Sequence, residues 1–153
     1  MPASATTIWE TIADEAARES SLWAGALRAE DERDATPVFS PLSAERFALG
    51  LESIYEAYLL HYGRPRLFAP PDRDTAVLLG DYLYAHGLVR IAEHRDVNAV
   101  ATLAELISHC ARLRAEGRPG DGAAWASAAA SLGTRPPEPD ALARALARHA
   151  ELT

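Results

Sequence analysis

A chain of 153 residues, 48% of them hydrophobic, is long enough to bury a core of its own in one domain. Its formal charge of −7 argues against nucleic acid and anionic membrane surfaces as partners, because both select basic faces. All 15 basic residues are arginine, which excludes Schiff-base chemistry and a phosphate-binding lysine, and the single Cys110 excludes an internal disulfide and any multi-cysteine zinc site.

In chain order, Thr7-x-x-Glu10 is a capping box for a helix predicted to run to about Arg28. Ile8, Ile12, Ala16, Trp23 and Leu27 form its apolar stripe, opposite Glu10, Asp14, Arg18 and Glu19. Such a helix is too acidic for a membrane surface and is expected to pack on its own domain or on a partner. The charge run RAEDERD (28–34) reads as a solvated helix end, and Pro37 and Pro41 mark a loop. Ser43 is the predicted N-cap of a second helix, which stops near Tyr62 ahead of Gly63 and Pro65. The segment GRPRLFAPPDR (63–73) is irregular.

The stretch DTAVLLGDYLYAHGLVRIA (74–92) has apolar residues in nearly every helical direction, so it predicts a helix buried on most sides, around which the rest is organised. Asp81 within it would then require a partner. Asp72 and Asp74 start and cap this helix, which is expected to end near His94. Asp96 caps the next, over 97–115, with Val100, Leu103, Leu106, Ile107, Cys110 and Leu113 as its apolar face. A small-residue helix follows over 123–133 with Gly133 as its C-cap, then a last helix over 140–151 beyond Pro136, Pro137 and Pro139. No segment alternates with period two, so the expected fold class is all-α with about six helices.

Candidate chemistry is sparse. His86 and His94 lie two helical turns apart, but no third ligand joins them, so no metal site or cofactor is expected. His109 and Cys110 are neighbours that point in different directions, and a buried inert thiol is the plainer reading. Arg64, Arg66 and Arg73 are the strongest anion-binding group, either paired with acids or contacting a phosphate. Glu52 and Glu56 read as a wet edge or as partners of those arginines. The absence of a transmembrane-length run, ~18 to 20 residues, and of a charged-then-apolar leader makes the cytoplasm the expected compartment.

From residue 44 onward the order of helices resembles the trans-polyprenyl diphosphate synthase family, the isoprenoid synthases. ALGLESIYEAYLLH (48–61) is similar to the family helix that precedes the first aspartate-rich motif. AVLLGDYLYAHGLVRIAEHRD (76–96) resembles its Gly-Asp helix, TLAELISHCARLRAEG (102–117) the helix after it, and GAAWASAAASLG (122–133) the helix begun by a Lys-Thr pair. The resemblance implies a partial isoprenoid-synthase bundle over 37–153, preceded by an N-terminal amphipathic helix and its charged end over 1–36.

The departures decide what the resemblance implies about function. Tyr62 and Gly63 follow His61 where metal-binding aspartates belong, Asp121 and Gly122 stand in place of the Lys-Thr pair, and no second aspartate-rich motif follows. The expectation is a non-catalytic, degenerate synthase-like protein acting through protein contacts. In the family the Gly-Asp helix and its successor form the dimer interface, and a shortened bundle would leave an apolar flank open. A homodimer or hetero-oligomer is therefore expected, through Leu79, Leu83, Tyr84, Leu103, Leu106 and Cys110. Two alternatives stay open: the small subunit of a two-component prenyl diphosphate synthase, and a binder of a prenyl or other apolar chain between the second and third helices.

Overall fold

One helix carries the architecture. In the computed structural model, which describes residues 6–153, every residue from 51 to 60 is buried, and they belong to α3 (Ala48–Tyr62). The beginning of the 1–36 segment, and with it part of the leader reading, lies outside the described residues. The described residues are all-α, with seven helices and no strand. The helices before α3 are α1 (Ile8–Glu19) and α2 (Ser21–Ala26), and those after it are α4 (Arg73–Ala92), α5 (Val97–Ala115), α6 (Asp121–Ser131) and α7 (Pro139–Leu152).

The seventh helix arises because the predicted N-terminal helix breaks at Ser20. Ser20 takes extended angles (φ −155°, ψ 136°), and its hydroxyl accepts the backbone N–H of Leu22 at 3.1 Å, ending α1 and capping α2 at once. The Thr7–Glu10 capping box forms as expected, with both reciprocal bonds present. Ser43 is not the cap of α3. It closes a short 3-10 turn (Ser40–Leu42) and its hydroxyl donates to backbone carbonyls. A second turn (Glu45–Phe47) then intervenes before α3 starts. Asp72 and Asp96 do cap α4 and α5, accepting from Thr75 N at 2.8 Å and Ala99 N at 3.0 Å. Gly120, at φ +120°, turns the chain into α6 in a conformation that L side chains rarely adopt, and Leu132 rather than Gly133 ends that helix.

Two apolar clusters share α3. Leu51, Ile54, Tyr55, Tyr58 and Leu59 meet Leu103, Leu106 and Cys110 of α5, Trp125 and Ala129 of α6, and Ala145 and Leu152 of α7. On the other side Ala57 and Leu60 meet Ile12 and Ala16 of α1, Ala26 of α2, Phe68, and Leu79 and Leu83 of α4. The N-terminal helices thus share a core with α3 and α4.

Helix α4 is not the buried centre. It runs antiparallel along α3 in close contact: a Cβ on Gly50 would lie 2.5 Å from Ile91 Cδ1, one on Gly80 2.7 Å from His61 Nε2, and one on Gly87 against Ile54. That closeness leaves α3 and α4 packed against each other along the place where the alternative reading puts an apolar chain. The far side of α4 is open, with Leu78 55% and Val89 58% exposed. The residues expected at a partner interface mostly point the other way. Leu79, Leu83, Leu103, Leu106 and Cys110 are buried in the chain's own clusters, and Tyr84 is half-buried against them. The reason is α3, which takes up the apolar faces of both α4 and α5.

Candidate functional site: two polar networks on one buried helix

The first network holds the loops on the α1 side of α3. Glu52 and Glu56, one turn apart, both face Arg66, which is itself buried. Arg66 Nη1 donates to Glu52 Oε2 at 2.8 Å and to the Thr36 carbonyl at 2.9 Å, and Nη2 reaches the Glu52 carbonyl at 3.4 Å. Glu52 Oε1 also accepts from the backbone of Val38 and Ser40 at 3.0 and 3.2 Å. Glu56 accepts from the backbone of Arg66 and Leu67 at 2.5 and 3.3 Å. The guanidinium lies over Trp9 and Tyr55, 4.7 and 5.1 Å from the ring centroids. Burial pushes the Glu56 carboxyl up, against the pull of Arg66 and the two backbone N–H groups. The Arg66 guanidinium loses hydration on burial, yet the two carboxylates more than offset this and strengthen its hold on the proton.

This arrangement corrects the anion-site expectation. Arg66 is spent on Glu52 and Glu56, while Arg64 and Arg73 are exposed, and Arg73 donates to the His61 carbonyl at 3.1 Å. The three arginines do not converge on one site. Glu52 and Glu56 are not a wet edge; they are the partners of an arginine, the other sequence reading.

The second network joins four helices on the opposite flank. Asp121 Oδ2, in the first turn of α6, accepts from Tyr58 Oη of α3, from Arg114 Nη2 of α5 at 2.8 Å, and from His149 Nε2 of α7 at 3.1 Å. His149 Nδ1 lies 2.7 Å from Tyr55 Oη. A carboxylate at Nε2 needs the ring proton there, so Nδ1 accepts from the tyrosine, and both ring nitrogens of a neutral imidazole are satisfied. Burial lowers the His149 pKa more strongly than Asp121 raises it. For Asp121, burial pushes the carboxyl up, but the Tyr58 hydrogen bond and the His149 and Arg114 charges outweigh it and hold the group at about 2. Arg114 is flanked by Tyr58 and Tyr62, with its guanidinium carbon 5.7 and 5.6 Å from the ring centroids.

The remaining candidates fall out singly. Asp81 is not buried as expected: its side chain is 65% exposed, on the outer side of α4, and its partner is His61, whose Nε2 lies 3.2 Å away. His86 packs on Tyr82 at 4.4 Å between ring centroids and His94 on Phe47 at 5.5 Å. Among the described residues no three His, Cys, Asp or Glu side chains come together in a way that could hold a metal. Burial pushes the Cys110 thiol up to about 12, with Asp121 adding to it, so the inert-thiol reading describes its setting. No helix among the described residues is long and apolar enough to cross a membrane.

Asp121 was legible only as the acid standing in place of a lysine. His149, Tyr55, Tyr58 and Arg114 gave no signal, because no local spacing links residues on four different helices. The same end of the bundle also carries the end of α3. There Arg64 N donates to the Leu152 carbonyl at 2.8 Å, and a Cβ on Gly63 would sit 2.5 Å from that oxygen. No family model, no curated protein and no solved structure matches this chain.

Proposed function

We propose that this protein is a non-catalytic, polyprenyl-synthase-like accessory subunit that works through protein–protein contacts. The reading is supported by what α7 covers. Helix α7 sets His149 on Asp121 at the start of α6 and the Leu152 carbonyl on Gly63 and Arg64 at the end of α3. In the resembled family those two places would bind a diphosphate and its magnesium ions. Here one presents a carboxylate held charged by the Tyr58 hydrogen bond and the Arg114 cation, which repels a phosphate, and the other is closed by a backbone carbonyl.

The test is turnover of an allylic diphosphate with magnesium, by the isolated protein and by the protein purified from its native cells with whatever accompanies it. The isolated protein is expected to be inactive. Magnesium-dependent product from the isolated protein overturns the reading. Product only in the presence of a co-purified protein makes this chain the small subunit of a two-component synthase.

A further inference from the structure

We infer that α2 and the outer face of α4 together form a docking surface for a basic amphipathic helix of a partner protein. The inference rests on the accessory reading above and names the chemistry of the partner that reading requires. Leu78, Tyr82 and Val89 lie along one side of α4. Leu78 and Val89 are 55% and 58% exposed and Tyr82 is half-buried. On α2, Trp23 lies against Tyr82 with ring centroids 5.8 Å apart, and the adjoining Leu22 is 49% exposed. Single exposed apolar residues need no explanation, but an apolar and aromatic stripe continued over about three helical turns does.

Charge selects the occupant. Asp74 and Asp81, both exposed, stand about two turns apart on one side of Leu78. Across the stripe, Glu19 and Glu15 of α1 lie close enough to Tyr82 to add to burial in pushing its hydroxyl up. Glu93, also exposed, follows beyond Val89. The nearby cations do not cancel these acids. Arg90 is paired with Glu15, Arg73 donates to the His61 carbonyl, and Arg95 lies past the end of α4. Arg18 is turned ~100° round α1 from Glu19. His61, the partner of Asp81, is held below its ordinary pKa by burial and carries no charge at neutral pH. Acids therefore rim the stripe on both sides and at one end. A second copy would set Asp74 level with Glu93 if antiparallel and with its own equivalent if parallel, acid on acid either way. A helix with lysines or arginines beside its apolar face matches both the stripe and its rim. The partner segment is helical because the described residues contain no strand, and so offer no open edge to an extended backbone.

The measurement is calorimetric titration of the full chain with a synthetic helix of ~18 residues, leucine along one face and lysine elsewhere. The same peptide with glutamate for each lysine is the comparison, and circular dichroism checks that each protein variant folds. The wild type is expected to bind the basic peptide and not the acidic one. The double variant L78S/V89S is expected to raise the dissociation constant at least ~tenfold through lost apolar contact. The triple variant E19Q/D74N/D81N is expected to do the same through lost charge. Removing three exposed acids elsewhere, in E105Q/E116Q/E138Q, is expected to change binding less than ~twofold. A wild type that binds neither peptide or both alike, equal losses in the two triple variants, or a double variant that binds like the wild type would each overturn the inference. So would sedimentation of a dimer that L78S/V89S dissociates, since a second copy would then cover the face. Flotation with phosphatidylcholine vesicles that is lost in that variant would overturn it in favour of a bilayer. Basic-peptide binding together with prenyl turnover keeps the surface and sinks the accessory reading, while neither binding nor turnover does the reverse.

Discussion

Arg66 shows how a surface-type residue can become structural. Its charge is taken out of water and repaid by two carboxylates, a backbone carbonyl at 2.9 Å and two aromatic faces. Removing one partner of such a group leaves the others buried and uncompensated, which typically costs about 3–5 kcal/mol. Arg66→Ala is therefore expected to lower the urea midpoint by that much free energy, whereas Arg64→Ala, on the surface, should stay within about 0.5 kcal/mol. Equal effects would show that the buried cluster carries no stability. The second network makes a prediction in pH. The folded pKa values of His149 and His61 lie below the ordinary histidine value of 6.5, chiefly through burial, so an unfolded chain takes up those protons first. Their share of the stability should be constant above pH ~7 and be lost as pH drops below the unfolded value of about 6.5. Asp121, held at about 2 against an ordinary aspartate value of 3.8, adds a further loss as pH falls from about 4 towards 2. His149→Asn should flatten the first part of that profile and leave the His61 share. An unchanged slope in chemical denaturation at pH 5 to 7 would contradict the assignment.

At the scale of elements, the decisive contact is the antiparallel crossing of α3 and α4, made close by three glycines. A methyl group on Gly87 would strike Ile54 and lie 3.1 Å from the Gly50 carbonyl, and a backbone atom cannot swing aside as a side chain can. Gly87→Ala is expected to cost about 1–3 kcal/mol by overpacking. Gly25→Ala, with nothing within 4 Å of the added carbon, should instead gain about 0.5–1 kcal/mol of helix propensity. Thermal denaturation of the two variants decides this, since opposite shifts are required. The elements themselves were largely legible. Thr7, Asp72 and Asp96 cap helices through bonds that reach three residues along the chain, so a sequence pattern contains them. Ser43 does not cap α3, and Ser20 interrupts a helix predicted to run through it, because a serine hydroxyl can end a helix or serve a turn, and which it does depends on packing beyond the local sequence. Helix α4 reads as the centre in sequence because its apolar residues point all round. Helix α3 looked ordinary because its Glu52, Ser53 and Glu56 suggest a wet face. They are satisfied internally by Arg66, by loop N–H groups and by the Leu49 carbonyl. The Asp121 network was illegible for the same reason, being assembled from residues up to 94 positions apart.

For the whole molecule, sharing α3 between two apolar clusters ties their fates together. Each cluster loses one wall if α3 loosens, so α1, α2 and α4 cannot keep their core while α5, α6 and α7 lose theirs. The three tryptophans report on the two sides separately. Trp125 is buried in the cluster of α5, α6 and α7, while Trp9 and Trp23 border the cluster of α1, α2 and α4. A single cooperative transition is expected, in which fluorescence of a Trp125→Phe variant, reporting on Trp9 and Trp23, coincides with the same variant's far-ultraviolet circular dichroism. Leu79→Ala in one cluster and Leu103→Ala in the other should each cost about 2–5 kcal/mol and move both signals together. Fluorescence from Trp9 and Trp23 that changes at lower denaturant than the helical signal would mean that the first 36 residues behave as a separate unit. In that case α3 would be the wall of one core rather than of two.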